Sequence, residues 1–296
     1  MEDLPQLFRT KSKINYSYMT IQMTPSRIDK GLIAIPVSLT KWFPKRSGIV
    51  HVYLDDLPDL QPKAFSPYES STRECRIGGL AGWFKEKKIK SGDEVIIQVI
   101  DKEKSVYRLA SEGIFIARTR ELQDGFDKSE SEQEASEKVN TLAQWVQLDR
   151  QKVMLNEFNR LIDIMPLESR EYTKSRLSRA REKVSANLRT LLEGIYKGHC
   201  QVCDFWFLKR DNRPYFETHH LNPFQGHHPK NVVVVCGNCH NQFEHANVHQ
   251  DFDADDWLIR VSFNDRAYSV NQAVLNMKPE RAFKEVFVEQ MFQLSE

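Results

Sequence analysis

From about residue 15 to 118 the chain alternates short apolar runs with turn residues. "GLIAIPV", "GIVHVYL", "EVIIQVI" and "SVYRLA" are rich in β-branched side chains, and each is bounded by Gly, Pro, Asp or Ser. Many short strands spaced this way predict a sandwich or a barrel. One helix, around "GLAGWFKEKK", interrupts them. The pattern then changes. Residues 119–140, "TRELQDGFDKSESEQEASEKVN", are acidic, Ser-rich and nearly free of large apolar residues, which fits a solvated linker with room for some helix. Helical spacing returns over 141–196, in "LAQWVQLDRQKVMLNEFNRLIDIM" and "SRLSRAREKVSANLRTLLEGIY", with Pro166 expected to divide it into at least two helices. Beyond it the chain reads strand, loop, strand, helix: "YFETHH", "LNPFQGHHPKN", "VVVVC" and "GNCHNQFEHANV".

A length of 296 residues exceeds what one hydrophobic core usually serves, so two domains plus connectors are expected. The formal net charge of +1 neither suggests nor excludes a polyanionic partner, because sign can be segregated locally. The second helical stretch is basic, with Arg170, Lys174, Arg176, Arg179, Arg181, Lys183 and Arg189. Alone that is a solvated face; just upstream of a histidine cluster, contact with backbone phosphate is as good a reading. No stretch approaches the roughly 18 to 20 apolar residues that span a bilayer. The opening "MEDLPQLFRTKSK" has no basic segment followed by an apolar one, so no secretory signal is expected and a reducing cytoplasm is. There, five cysteines serve as thiols or metal ligands rather than disulfides.

The chain holds nine histidines, and all but His51 lie between His199 and His249. Two C-x-x-C knuckles, Cys200–Cys203 and Cys236–Cys239, bracket most of that segment, leaving only Cys75 over. Four thiolates from two such knuckles match the tetrahedral shell of a closed structural zinc site, which has no open position for chemistry. Zinc should clamp the start of the segment to its end.

The ββα order, with His219 and His220 closing the first strand, Asn231 ending the loop and His240 opening the helix, resembles the zinc-bearing subgroup of the HNH endonucleases. The residue types suit the reaction. Phosphodiester hydrolysis needs a base for water, neutralised phosphate charge and a stabilised leaving oxygen, which one imidazole and one divalent cation can supply. The resemblance implies that His220 is the general base, that His219 and His240 bind Mg²⁺ or Mn²⁺, and that Asn231 holds the base or its loop in position. The usual pattern has another histidine one helical turn after the first; here Glu244 has that register and His245 falls one residue late. Glu244 is favoured slightly as the remaining ligand. His227 and His228 are expected to be exposed, with a lesser chance of touching phosphate, and His199 and His249 to be structural.

Residues 76–101, "RIGGLAGWFKEKKIKSGDEVIIQVID", and the earlier "SRIDKGLIAIPVSL" resemble the B3-like pseudobarrel domains of plant transcription factors and some restriction endonucleases. In that family two arms grip the major groove. The resemblance implies DNA contacts from Ser26, Arg27, Asp29 and Lys30 on one arm and from Ser70, Ser71, Thr72, Arg73 and Arg76 on the other. Arginine can pair with guanine and aspartate can accept from cytosine. Lys85, Lys87, Lys88 and Lys90 read as a solvated face; Trp42, Trp83 and Phe84 read as core.

The expected fold class is therefore α+β multidomain. A B3-like DNA-recognition β-barrel (1–118) precedes an acidic linker (119–140) and a helical connector (141–196). A zinc-stapled HNH nuclease domain (197–296) follows. The expected function is site-specific cleavage of double-stranded DNA, by a homodimer or by two successive nicks. Residues 141–196 and the tail after 250 are candidates for the dimer contact. Three rivals stand: a methylation-dependent nuclease, a non-catalytic DNA-binding regulator and, weakest, a zinc thiol-redox protein.

Overall fold

The computed structural model describes residues 8–11, 13–67, 74–165, 184–223, 225–273 and 275. Two compact units emerge. Among the described residues, one holds the chain up to Leu122 with Trp145–Gln147; the other holds Gln123–Gln144 and the chain from Leu148 to Leu275.

In the first unit, β1 (Phe8–Lys11) pairs with β2 (Tyr18–Gln22), and α1 (Pro25–Asp29) leads into β3 (Ile33–Ile35). Then come β4 (Gly48–Leu54), β5 (Leu60–Ser66), β6 (Cys75–Ile77), α2 (Ala81–Glu86), β7 (Glu94–Asp101) and β8 (Val106–Ser111). The sheet order is β1-β2-β7-β8-β4-β5-β6-β3, antiparallel except for the β4–β8 pair. Ile21 of β2 and Ile33 and Ile35 of β3 lie far apart in that order yet share one buried cluster. The seven strands β2 to β8 are therefore rolled into a nearly closed barrel around a single core. Period-two alternation builds it: in β4, Val50, Val52 and Leu54 point inward while Ile49 is 66% exposed.

Trp83 and Phe84 belong to the core, as the pattern predicts. The Trp83 indole N–H donates to Asp55 Oδ2 at 2.8 Å, and the Ser111 N–H donates to Asp55 Oδ1 at 3.0 Å. The buried Asp55 carboxylate thus ties α2 and the end of β8 to the turn after β4.

The acidic run departs from expectation. It is largely helical, within α3 (Glu112–Asp127) and α4 (Glu132–Val146). Its few apolar residues fall at helical spacing: Leu122 and Phe126, then Ala135 and Val139, all buried. Charge dominates the composition while position decides the fold. α5 (Arg150–Ile164) ends just before Pro166, and Met165 is already extended, as a residue preceding proline must be. α6 (Ala186–Tyr196) follows. In the second unit Arg160 pairs with both carboxylate oxygens of Asp127 at 2.7 and 2.9 Å, and its Nε donates to the buried Glu157 at 2.6 Å. Of the basic run, Arg170 to Lys183 lies outside the described residues. Arg189 is not a free cation: it donates to Glu132 at 3.0 Å and its guanidinium lies 4.2 Å from the Phe216 ring centroid.

The rest of this unit is β9 (Glu217–His220), a 3₁₀ turn at Pro229–Asn231, β10 (Val232–Val235) and α7 (Gly237–His245). A three-stranded sheet closes it, β11 (Val248–Phe252), β12 (Leu258–Phe263) and β13 (Arg266–Ser269). Leu258, Val261, Phe263 and Val270 pack in one cluster with Cys200, Cys236 and Cys239. The stretch 257–270, considered above for a dimer contact, therefore commits one face to the unit's own core. Among the described residues no helix is long and apolar enough to cross a membrane.

Candidate active site

The knuckles meet. Cys203 Sγ lies 3.7 Å from Cys236 Sγ and 3.5 Å from Cys239 Sγ. Zinc–sulfur bonds of about 2.3 Å in a tetrahedron place sulfurs about 3.8 Å apart, so these spacings fit a shared ion and are far too long for disulfides. The Cys200, Cys203, Cys236 and Cys239 thiols together can hold one zinc. Without an ion the thiols compete for charge: the hydrogen bond from Cys239 draws Cys200 down, and the same bond pushes Cys239 up. A cation would let all four ionise.

Local structure prepares this contact. Lys197 (φ 52°) and Gly198 (φ +81°) turn left-handed after α6 and deliver the chain to the first knuckle. A Cβ on Gly198 would fall 2.5 Å from Pro214 Cβ, so only glycine fits. Gln201, which sequence reasoning passed over, stitches the knuckle to its neighbours. It accepts the Val234 N–H at 2.7 Å through Oε1 and donates to the Asn271 carbonyl at 2.8 Å through Nε2.

β9 and β10 pair antiparallel, His219 opposite Val233 and His220 opposite Val232, and α7 follows with Cys236 as its N-cap. β10 is four valines, all buried, which anchors the pair. His219, His240 and Glu244 come together: Glu244 Oε1 lies 3.9 Å from His219 Nδ1 and 3.8 Å from His240 Nε2. All three donor atoms lie within 4.8 Å of one another. A small divalent ion bonded at about 2.1 Å holds adjacent donors about 3 Å apart, so a modest inward rotation of these side chains completes a pocket. His245 stays exposed and is not part of the group; one residue past Glu244, it is turned about 100° round the helix. The His219 ring stacks on Phe243 with centroids 4.4 Å apart. Burial, then the neighbouring His240 and His220, hold its pKa down to about 4, so it is neutral at neutral pH with a lone pair to offer.

His220 meets a partner that its sequence position did not suggest: its Nε2 lies 2.9 Å from His227 Nδ1. Asn231, 2% exposed, makes that meeting possible. Its Oδ1 accepts the Asn222 N–H, and its Nδ2 donates to the Asn222 and Gly226 carbonyls, each at 2.8 Å. The loop is thereby stapled across its width, next to His227.

The expectation that His227 and His228 are exposed needs correction. His227 is half-buried and His228 is buried. The Lys230 N–H donates to His228 Nδ1 at 3.2 Å, which leaves the proton on Nε2 to donate to the Ile162 carbonyl at 3.1 Å. This imidazole is a structural pin with a pKa lowered chiefly by burial. His199 pairs with Asp204 and stacks on Trp206, while His249 is largely exposed beside Asp251.

Glu217 was missed. It sits two residues before His219, on the same face of β9, where period two alone could have found it. One of its carboxylate oxygens meets His240 Nδ1 and the other meets the Tyr215 hydroxyl.

In the barrel, Ser26, Asp29, Lys30 and Arg76 are exposed. Arg27 is not, and its assignment to base reading is corrected. It is buried, donates to the Gln22 carbonyl at 2.8 Å and sits 3.6 Å from Glu74. Its role is to tie α1 to Glu74, the residue before β6. Ser70, Ser71, Thr72 and Arg73 lie outside the described residues.

No protein-family model and no curated protein matches the chain. Among solved structures the chain is similar to an Arabidopsis FUS3–DNA complex, with 10% identity and a TM-score of 0.27. The match covers 31% of this chain and 92% of that one, and so slight a likeness carries no argument.

Proposed function

We propose that this chain is a metal-dependent DNA endonuclease of the HNH kind, whose ββα unit hydrolyses the backbone and whose barrel selects the sequence. One observation carries the reading: His219, His240 and Glu244 converge beside the paired His220 and His227, on a unit stapled by four thiols.

His220 takes the proton from the attacking water. When its Nε2–H donates to His227 Nδ1, the lone pair lies on Nδ1, so one contact fixes both the ring and the basic nitrogen. Asn231 keeps the loop in the shape that brings His227 there. His219, His240 and Glu244 form a mixed nitrogen and oxygen donor set suited to Mg²⁺, Mn²⁺ or a similar ion. A divalent cation held there supplies positive charge for the phosphate and for the departing 3′ oxygen. The four-thiol site keeps no open position, so its zinc is structural.

On this reading Ser26, Asp29, Lys30 and Arg76 contact DNA. The ion pair from Arg27 to Glu74 supports two arms standing at one end of the barrel. One such centre nicks one strand, so a double-strand cut calls for two protomers on a palindromic site or for two successive nicks.

The test is incubation with matched methylated and unmethylated supercoiled plasmid in Mg²⁺ or Mn²⁺, with sequencing of the ends. Wild type should cut, and His220→Ala should lose cleavage by on the order of 10² to 10⁴-fold with DNA binding intact. Cleavage surviving in that variant removes the base assignment. Binding without cleavage by wild type makes the chain a regulator instead, and cutting confined to methylated plasmid makes it modification-dependent.

A further inference from the structure

An imidazole has two nitrogens, and a ligand histidine works only when the correct one carries the lone pair. At His240 the choice is visible. Nε2 faces Glu244 Oε1 at 3.8 Å, while Nδ1 meets Glu217. A carboxylate accepting the Nδ1–H puts the lone pair on Nε2, fixes the ring and strengthens it as a donor.

Glu217 is itself held. The Tyr215 hydroxyl donates to its other oxygen, and that bond is the main cause that pushes the phenol's pKa up to about 12. The Tyr215 ring stacks on Phe207 with centroids 4.7 Å apart, and its N–H donates to the Phe207 carbonyl at 3.0 Å. Gly237, the first residue of α7, keeps the space clear: a Cβ there would lie 3.3 Å from Glu217 Oε1 and 3.4 Å from the Tyr215 oxygen.

We propose that Glu217, braced by Tyr215, is the positioning residue that fixes His240 as an Nε2 donor to the cation of the His219–His240–Glu244 pocket. This rests on the metal-binding half of the proposed function and needs no nuclease activity to be true.

The experiment uses the full chain with its zinc in place and no DNA. Mn²⁺ affinity is measured by calorimetry for wild type, Glu217→Ala, Glu217→Gln, Tyr215→Phe and His240→Ala, and ring-nitrogen NMR reads the His240 tautomer. Glu217→Ala should weaken Mn²⁺ by about 10- to 100-fold and mix the tautomers, with zinc content and melting temperature unchanged. Glu217→Gln should recover part of the affinity, because its amide oxygen still accepts the Nδ1–H; a purely structural role would not restore one tautomer. Should Glu217→Ala misfold, Tyr215→Phe decides, with a loss of about 2- to 10-fold expected from one missing hydrogen bond.

Unchanged affinity in the variant that folds overturns the inference, as does wild-type binding that is absent or indifferent to His240→Ala. Plasmid cleavage is read separately. A chain that takes Mn²⁺ through His240 and cuts no DNA loses the nuclease reading and keeps this one.

Discussion

His228 shows what one buried side chain does to the pH response of the fold. Its pKa is lowered from 6.5 by burial, so between that value and its folded value the unfolded chain binds more protons than the native one. Stability is therefore full above pH 6.5 and falls as the pH drops through it. His228→Asn keeps an acceptor for the Lys230 N–H and removes the titration. Its melting temperature should fall less than that of wild type between about pH 7.5 and 5.5; equal slopes would show that His228 does not set the response. Such a role was illegible in the chain. His219, His220, Asn231 and His240 could be singled out because their order and spacing along the chain form a pattern that resembles a known one. The roles of His227 and the buried Arg27 could not be read, because each comes from a contact that spacing does not encode, whereas Glu217 was within reach of the period-two pattern of β9.

At the scale of elements, the strands of the barrel and the helix of Trp83 were readable from alternation and turn residues. The two acidic helices were harder, since a narrow apolar stripe is outvoted in any average over composition. The turn into the first knuckle depends on Gly198, at φ +81° and with no room for a Cβ. Gly198→Ala should destabilise the second unit by roughly 1 to 3 kcal/mol in urea unfolding and weaken zinc retention. Gly82→Ala is the control: nothing lies within 4 Å of its Cβ position, and helix propensity favours alanine there. Equal effects from the two would mean that the knuckle tolerates another path.

Across the whole molecule, a net charge of +1 conceals how charge is spent. Arg27, Arg160 and Arg189 are committed to partners within their own units, so a phosphate backbone would meet other cations. Arg76, exposed on β6, is the cleanest test. If it contacts phosphate, Arg76→Ala should weaken all DNA sequences alike and reduce the slope of log affinity against log salt by about 1, read by fluorescence anisotropy. A loss confined to one sequence would make it a base reader, and no change would take it off the interface. The recruitment of 257–270 to the cysteine core was not legible, because that packing joins residues distant along the chain.

Cys239 and His240 are consecutive residues on the same turn of α7. An ion held by the four thiols would brace the very turn that carries His240, and an oxidant or chelator that removed it would loosen that turn.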